Sequence, residues 1–187
     1  MKLAILADIH GNLTALETSL ADAKHHGIRD FLCLGDVANF GPQPKETLER
    51  IGELNCPVVM GNADAKMLEL RSPEMLEGEA RTFADIENWC AAQLNEEHRN
   101  FIRAFKPTLE LELSGLTILA YHGSPKSFND PILGTTPDDE LAIYFDSYDA
   151  DLYLGGHTHE QFIRRYYTKR VMNPGSVGLP YISNFGS

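Results

Sequence analysis

Leu3-Ala4-Ile5-Leu6-Ala7-Asp8-Ile9-His10-Gly11-Asn12 runs from unbroken apolar residues straight into a carboxylate, an imidazole and a glycine. A continuous apolar run of this length fits a strand buried on both faces of an α/β sheet, where alternation is not required. The pattern returns along the chain: apolar runs at 31–34, 58–60, 116–121 and 152–154 each end in polar or glycine residues. Between the first of these runs lie helical patterns. Leu13, Leu16, Leu20 and Ala23 recur at three- and four-residue steps, with Asn12 as N-cap and Gly27 as the stop. Leu48 and Ile51 mark a second helix that begins near Pro42 and Pro44. Up to Met60 the chain therefore reads β-α-β-α-β, which implies parallel strands joined by right-handed crossovers.

From Asp64 to Lys106 the character changes. Met67, Leu70, Met75, Leu76, Trp89, Leu94, Phe101 and Ile102 are scattered among many charges, with Pro73 and Gly78 as breaks. This predicts two or three helices, the last around residues 96–105. We read residues 65–106 as a helical insertion or cap within a single domain spanning 1–187. It is the expected seat of substrate selectivity, because it follows Asn62 directly. After Pro107 strands return: residues 109–113 alternate apolar and acidic, and Gly115 turns them into the run at 116–121. Residues 138–145 read as a helix, and 162–167 with 171–172 as a final hairpin. Trp89, Phe101 and Phe105 are expected to pack inside, and His25, His26 and His98 to lie on the surface. Arg164, Arg165, Lys169 and Arg170 are expected on a solvated face.

The chain has 187 residues, a formal charge of −11, 43% apolar and 23% charged residues. Those proportions are globular and exclude disorder and coiled coil. A chain this long buries roughly 70% of its unfolded surface, enough for a core without staples. Cys33, Cys56 and Cys90 form no CxxC pair, which favours a reducing compartment. The apolar run before Asp8 is too short for a signal peptide, and no stretch approaches the roughly 20 apolar residues of a membrane span. The expectation is a cytoplasmic protein with no membrane partner. Its acidity disfavours nucleic acid as a partner. A phosphate-ester substrate would then require positive charge supplied locally, which a bound metal can do.

The polar residues at the strand ends carry the chemistry. The first run delivers Asp8 and His10. The second delivers Gly35-Asp36-Val37-Ala38-Asn39, the third Gly61-Asn62-Ala63-Asp64, and later runs Tyr121-His122-Gly123 and Gly155-Gly156-His157-Thr158-His159. In open α/β sheets, ligands bind beyond the carboxyl ends of the strands. Asp8, His10, Asp36, Asn62, His122, His157 and His159 thus reach a single edge. Imidazole with carboxylate and amide oxygen suits Mn, Fe, Zn or Ni better than calcium. The set is too large for one tetrahedral centre and suits two metals sharing a carboxylate. Two such ions, roughly 3.5–4 Å apart, clamp phosphoryl oxygens and acidify water. Each fragment alone has a bland reading: Asp-x-His as a helix cap beside a surface histidine, Gly-Asp and Gly-Asn as turns. Gly156-His157-Thr158-His159 is the most specific, because packing rarely needs two histidines at a strand end.

Together, Asp8-Ile9-His10, Gly35-Asp36, Gly61-Asn62, His122-Gly123 and Gly156-His157-Thr158-His159 resemble the calcineurin-like metallophosphoesterases over nearly the whole chain. His122-Gly123-Ser124-Pro125 and Asn173-Pro174-Gly175-Ser176 resemble its small bacterial phosphodiesterase branch. The resemblance implies an α/β fold, a four-layer αββα sandwich with a small helical insertion. It implies one metal on Asp8, His10, Asp36 and His159 and another on Asp36, Asn62, His122 and His157, with Asp36 bridging and manganese the first expectation. It implies a phosphodiesterase in which a hydroxide shared by the metals attacks phosphorus in line. Asp36, Asn62 and His122 would be catalytic, with His122 and Asn62 stabilising the developing charge. Asn62 and Asn39 would contact substrate, although Asn39 equally suits a turn-stabilising role. The substrate would be a small-molecule or nucleotide phosphate ester. A phosphomonoesterase and a non-catalytic protein-binding scaffold on the same fold are the alternatives.

Two departures from the family pattern matter. The motif after the third strand is often Gly-Asn-His, whose histidine is a proposed general acid; here that position is Ala63. A positioned acid is worth roughly 10²–10⁴ in rate. Slow turnover of esters with poor leaving groups and faster turnover of aryl esters is therefore expected, with Asp64 or a water as substitute acid. Protein serine/threonine phosphatases carry Gly-Asp-x-x-Asp-Arg-Gly, whereas Gly35-Asp36-Val37-Ala38-Asn39-Phe40-Gly41 has Phe40 in place of the arginine. That weakens a phosphoprotein monoesterase. Relatives often continue with further strands beyond Asn173-Pro174-Gly175-Ser176. A short second sheet or a truncated chain, with an unpaired edge open to homodimer formation, is expected.

Overall fold

The first apolar runs pair as parallel neighbours in a computed structural model that describes residues 2–69, 72 and 76–181. Strand β1 (Leu3–Leu6) lies beside β2 (Asp30–Cys33), with Leu3 opposite Asp30 and Leu6 opposite Cys33. Helix α1 (Leu13–His25) connects them, and its N-cap Asn12 accepts the Ala15 N–H through Oδ1 at 3.1 Å. Helix α2 (Pro44–Leu54) starts on a proline, whose missing N–H is no loss in a first turn. The run at 58–60 is shorter than expected. It touches β2 by a bridge at Val58 and Lys106 by a bridge at Val59, then turns at once into α3 (Asn62–Lys66). Its carbonyls and amides are still satisfied: Val59 N–H donates to Cys33 at 2.9 Å and Met60 N–H to Lys106 at 2.7 Å.

The second sheet has the order β3-β4-β5-β7-β6. Its strands are β3 (Leu109–Leu113), β4 (Leu116–Ala120), β5 (Leu152–Leu154), β6 (Phe162–Tyr166) and β7 (Lys169–Asn173). Ser114 and Gly115 take left-handed conformations in a two-residue turn, so β3 and β4 form a tight hairpin. Strands β4, β5 and β7 run parallel, and β6 returns antiparallel to β7. The last strand extends beyond the predicted 171–172, which carries Asn173 to the site edge.

Three buried clusters set the layers. Ala7, Leu32, Leu34 and Val59 of the first sheet meet Ile118, Ala120 and Leu154 of the second, so the sheets face each other. The outer face of the first sheet is covered by α1, α2, α4 (Gly78–Ala92) and α5 (Glu96–Arg103), through Leu16, Leu48, Ile51, Cys90, Leu94 and Ile102. Helix α6 (Asp138–Phe145) covers the second sheet with Leu141 and Phe145 over Leu119, Tyr153 and Val171. The result is the expected four layers, α/β/β/α. Helices α4 and α5 contribute to the same core as α1 and α2.

Several side chains depart from expectation. Trp89 is 49% exposed, whereas Phe105 is buried and pairs edge-on with half-buried Phe101. An aromatic among charges gives no sign of which helix face meets the core. His98 closes a capping box on α5: the Asn95 N–H donates to its Nδ1 and Asn95 Oδ1 accepts its N–H. Arg164 is not freely solvated. It donates to the Gly134 and Thr136 carbonyls and to Asp138, tying β6 to the start of α6. Leu70, Pro73 and Met75 lie outside the described residues.

Phe145 centres the second helix layer. It stacks on Tyr153 at 4.1 Å and meets Tyr121 and Tyr166 at 5.8 and 5.7 Å, with 1% exposure. Phe145→Ala is expected to lower stability by about 3–5 kcal/mol, because the three surrounding rings cannot collapse into the space. Urea unfolding of the variant beside the parent measures it.

Candidate metal centre

Asp8, His10, Asp36, His157 and His159 all adopt left-handed backbone conformations, with φ of 53°, 49°, 53°, 69° and 60°. Such conformations cost non-glycine residues of the order of 1–3 kcal/mol each and persist only where the surroundings impose them. The surroundings here are other loops of the same edge. Asp8 N–H donates to Gly35 and His10 N–H to Asp36, stitching the first two strand ends together at 3.1 and 2.9 Å. His157 N–H donates to the Asp8 carboxylate, at 3.1 Å from Oδ2.

Two devices hold these loops. The first is Asp64, fully buried, whose carboxylate accepts the N–H groups of Asp36, Val37 and Gly61 at 2.7, 2.9 and 3.0 Å. Gly61 must be a glycine, since a Cβ there would stand 2.1 Å from Asp36 Oδ1. The second is the segment 173–179. Asn173 donates to the Gly156 carbonyl at 2.6 Å, and Ser176 Oγ donates to the Asp8 carbonyl at 2.7 Å. Val177 N–H and Gly178 N–H donate to Ala7 and Asp8. The Asn173-Pro174-Gly175-Ser176 motif is thus a strap across the first and last ligand loops.

The side chains converge in two groups. The ligand-type atoms of Asp8, His10 and His159 lie within 4.8 Å of one another, and so do those of Asp36, His122 and His157. Asp36 stands between them. Its Oδ1 accepts the Ala63 N–H at 2.8 Å, while Oδ2 faces His122 Nε2 at 3.4 Å and His10 Nε2 at 3.8 Å. Asn62, the first residue of α3, brings Oδ1 within 3.0 Å of His122 Nε2. All seven residues expected at the site are therefore together.

The imidazoles are oriented by backbone carbonyls. His10 Nδ1 meets Asn39 O at 3.1 Å, His122 Nδ1 meets Leu34 O at 2.7 Å, and His159 Nδ1 meets Leu179 O at 2.6 Å. A carbonyl only accepts, so each Nδ1 carries the proton, and in the neutral ring Nε2 presents a lone pair. In their neutral forms His10 Nε2 and His159 Nε2 face each other at 3.0 Å with no donor between them. His122 Nε2 likewise faces Asn62 Oδ1 and Asp36 Oδ2, both acceptors. Acceptors converging on acceptors call for a cation, and fixing Nδ1 on a carbonyl is how proteins prepare Nε2 to bind one.

The titration behaviour agrees. Burial pushes His10 below its usual value against the pull of Asp36 and Asp8, and burial with neighbouring His122 lowers His157. Burial also opposes charge on His122 and His159. There the carboxylates prevail: Asp36 and Asp8 push His122 up to about 9, and Asp8 raises His159. Burial works against Asp36 too, yet His122 and His10 hold its carboxyl well below the usual range. In each group burial and the carboxylates thus pull the imidazoles in opposite directions, a conflict that a positive charge among the carboxylates would relieve.

Two expectations change. Asn39 is fully buried, its Nδ2 donating to Ala63 O at 3.2 Å and its Oδ1 accepting the Phe40 N–H at 2.9 Å. Its amide is engaged by backbone on both sides, as a turn-stabilising role requires. Asp64 does not offer a substitute acid, because its oxygens are enclosed and bound by three backbone N–H groups. Burial, with the charge of Asp36, pushes it up to about 7. Its structural role had no signal in the sequence beyond its place after Gly-Asn.

Comparison with known proteins places this geometry in context. A family model described as a calcineurin-like phosphoesterase superfamily domain matches residues 1–184. An uncharacterised protein of Methanocaldococcus jannaschii is 30% identical over 200 residues, which cover 95% of this chain and 76% of that protein. Phosphodiesterase YfcE of Escherichia coli is 36% identical over 77 residues, covering 36% of this chain and 42% of its own length. Among solved structures, a metallophosphoesterase from Sphaerobacter thermophilus aligns with a TM-score of 0.72 at 26% identity, over 98% of this chain and 80% of that one.

Asp64→Asn would turn an amide N–H toward backbone N–H groups. It is expected to lower stability by about 2–4 kcal/mol through lost buried acceptors. It is also expected to weaken binding of a divalent cation by about 10–100-fold through displaced Asp36. Urea unfolding and calorimetric titration with Mn²⁺ read the two effects separately.

Proposed function

Because this chain belongs to the calcineurin-like phosphoesterase superfamily, hydrolases that act on phosphoric ester bonds, we propose that it is a phosphodiesterase working with two divalent cations. The observation that carries this reading is the convergence of lone pairs and carboxylates, paired Nε2 atoms at 3.0 Å above all. Asp8, His10 and His159 would hold one cation and Asn62, His122 and His157 the other, with Asp36 shared between them. Manganese is our first assignment, with iron, nickel and zinc compatible with the same donors. Such a pair supplies the positive charge that phosphoryl oxygens need and lowers the pKa of water.

The chain's own residues set the rest. Asn62 and His122 flank the reacting phosphate; the Leu34 carbonyl on His122 Nδ1 and the grip of Asp64 on Gly61 keep them from relaxing as charge develops. Ala63 offers no proton to the leaving oxygen. Diester preference is supported by the phosphodiesterase relative and by Phe40, which stands where an arginine would grip a dianionic monoester. A small-molecule or nucleotide ester is the substrate class we assign. A scaffold on the same fold has no use for strained, buried carboxylates and lone pairs aimed at each other, which cost stability without a cation. No helix among the described residues is long and apolar enough to cross a membrane. Three unpaired cysteines, two of them buried, suit the cytoplasm.

The metal-stripped protein is expected to regain hydrolysis of bis(p-nitrophenyl) phosphate with Mn²⁺, faster than of p-nitrophenyl phosphate. Asp36→Ala and His122→Ala should lower the diesterase rate by at least about 10²-fold, and an alkyl diester should react about 10²–10⁴-fold more slowly than the aryl one. Absence of hydrolysis with Mn, Fe, Ni and Zn alike would transfer the protein to the scaffold reading.

A further inference from the structure

Five aromatic rings form a row across the site. Phe83 on α4 meets Phe40 edge-on with centroids 6.0 Å apart, and Phe40 meets His10 at 5.9 Å. His10 lies 4.9 Å from His159, and Tyr181 stacks on His159 at 4.8 Å with the planes 20° apart. Two of the three inner rings, His10 and His159, belong to the Asp8 group. The outer two are open to solvent, Phe83 by 53% and Tyr181 by 63%. Neither belongs to a core cluster.

Phe40 shows that the row is built. Its φ of 74° is unfavourable for a bulky residue, yet its N–H is held by the buried Asn39 amide at 2.9 Å. Strain maintained by a buried polar side chain fixes where the ring stands. The row therefore presents aromatic faces and edges on both sides of the imidazoles that would hold a phosphate-binding cation.

We propose that Phe83, Phe40 and Tyr181 form a specificity rim that binds a planar aromatic group next to the phosphate, so that the substrate is a ring-bearing ester. The inference rests on the phosphoesterase reading and adds its substrate class. Stacking and edge contacts with aryl groups and nucleobases share one chemistry, and two ring faces are enough to favour a ring-bearing ligand by about 5–20-fold.

Binding separates this effect from the leaving-group effect that Ala63 imposes on turnover. Calorimetric titration of the Mn²⁺-loaded protein with non-hydrolysable phenylphosphonate and methylphosphonate tests a ring beside the phosphate. Adenosine 5′-thiomonophosphate against thiophosphate tests a base reached through a ribose. An aromatic preference of about 5–20-fold in either pair is expected, and the pair that shows it identifies the source of the ring. The preference should fall to about 1–2-fold in Phe83→Ala and Tyr181→Ala, and persist in Phe83→Tyr and Tyr181→Phe. Both side chains are exposed, so the variants keep the core intact. Equal binding within both pairs, or loss of preference in the ring-preserving variants, overturns the rim while leaving the phosphoesterase intact. Failure to take up Mn²⁺ and every phosphonate overturns both.

Discussion

The site is organised around groups that repel one another. Two imidazole lone pairs meet at 3.0 Å, a third faces an amide and a carboxylate oxygen, and Asp36 stands between the two sets. In a dry interior such an arrangement is unfavourable unless positive charge sits among the acceptors. The fold resists relaxation instead of avoiding the conflict. Left-handed strand ends, the threefold grip of Asp64 and the strap across the loops each remove a way for a side chain to swing out. A centre prepared like this binds cations without paying for rearrangement. It also explains how a protein with a formal charge of −11 can approach an anionic substrate, since the positive charge is local rather than global.

How much of this could be read from sequence follows from the range of the interactions. The strand-end ligands were legible because an apolar run and the polar residue closing it are neighbours in the chain. The parallel pairing of β1 and β2 and the helix between them followed from the same local pattern. Asn39 was ambiguous because its role depends on Ala63, which reaches it from another loop. Asp64 was illegible as a brace for the same reason: two of its three partners belong to the turn after β2. The run at 58–60 failed to become a full strand because the chain must leave at once for α3. Trp89 and Phe83 face outward, and nothing in a charged helix announces which side will be covered.

The fold alone does not settle what the protein does, since one sandwich can carry different chemistry at its rim. What distinguishes this chain is the pairing of a complete set of donors with a missing proton donor at Ala63 and an aromatic margin at Phe40. The first makes metal ions central. On the proposed reading the second makes turnover depend on the leaving group. The third concerns which molecules reach the centre at all.

The strap has a consequence for biosynthesis. Ser176 grips the Asp8 carbonyl across 168 positions, and Leu179 orients His159. The turn at Asp8 therefore waits for residues 176–179 before its geometry is enforced. Domains fold as their segments become available, so a nascent chain offers only loose, separate ligands to the metals around it. Ion capture is deferred until residues 176–179 have been made.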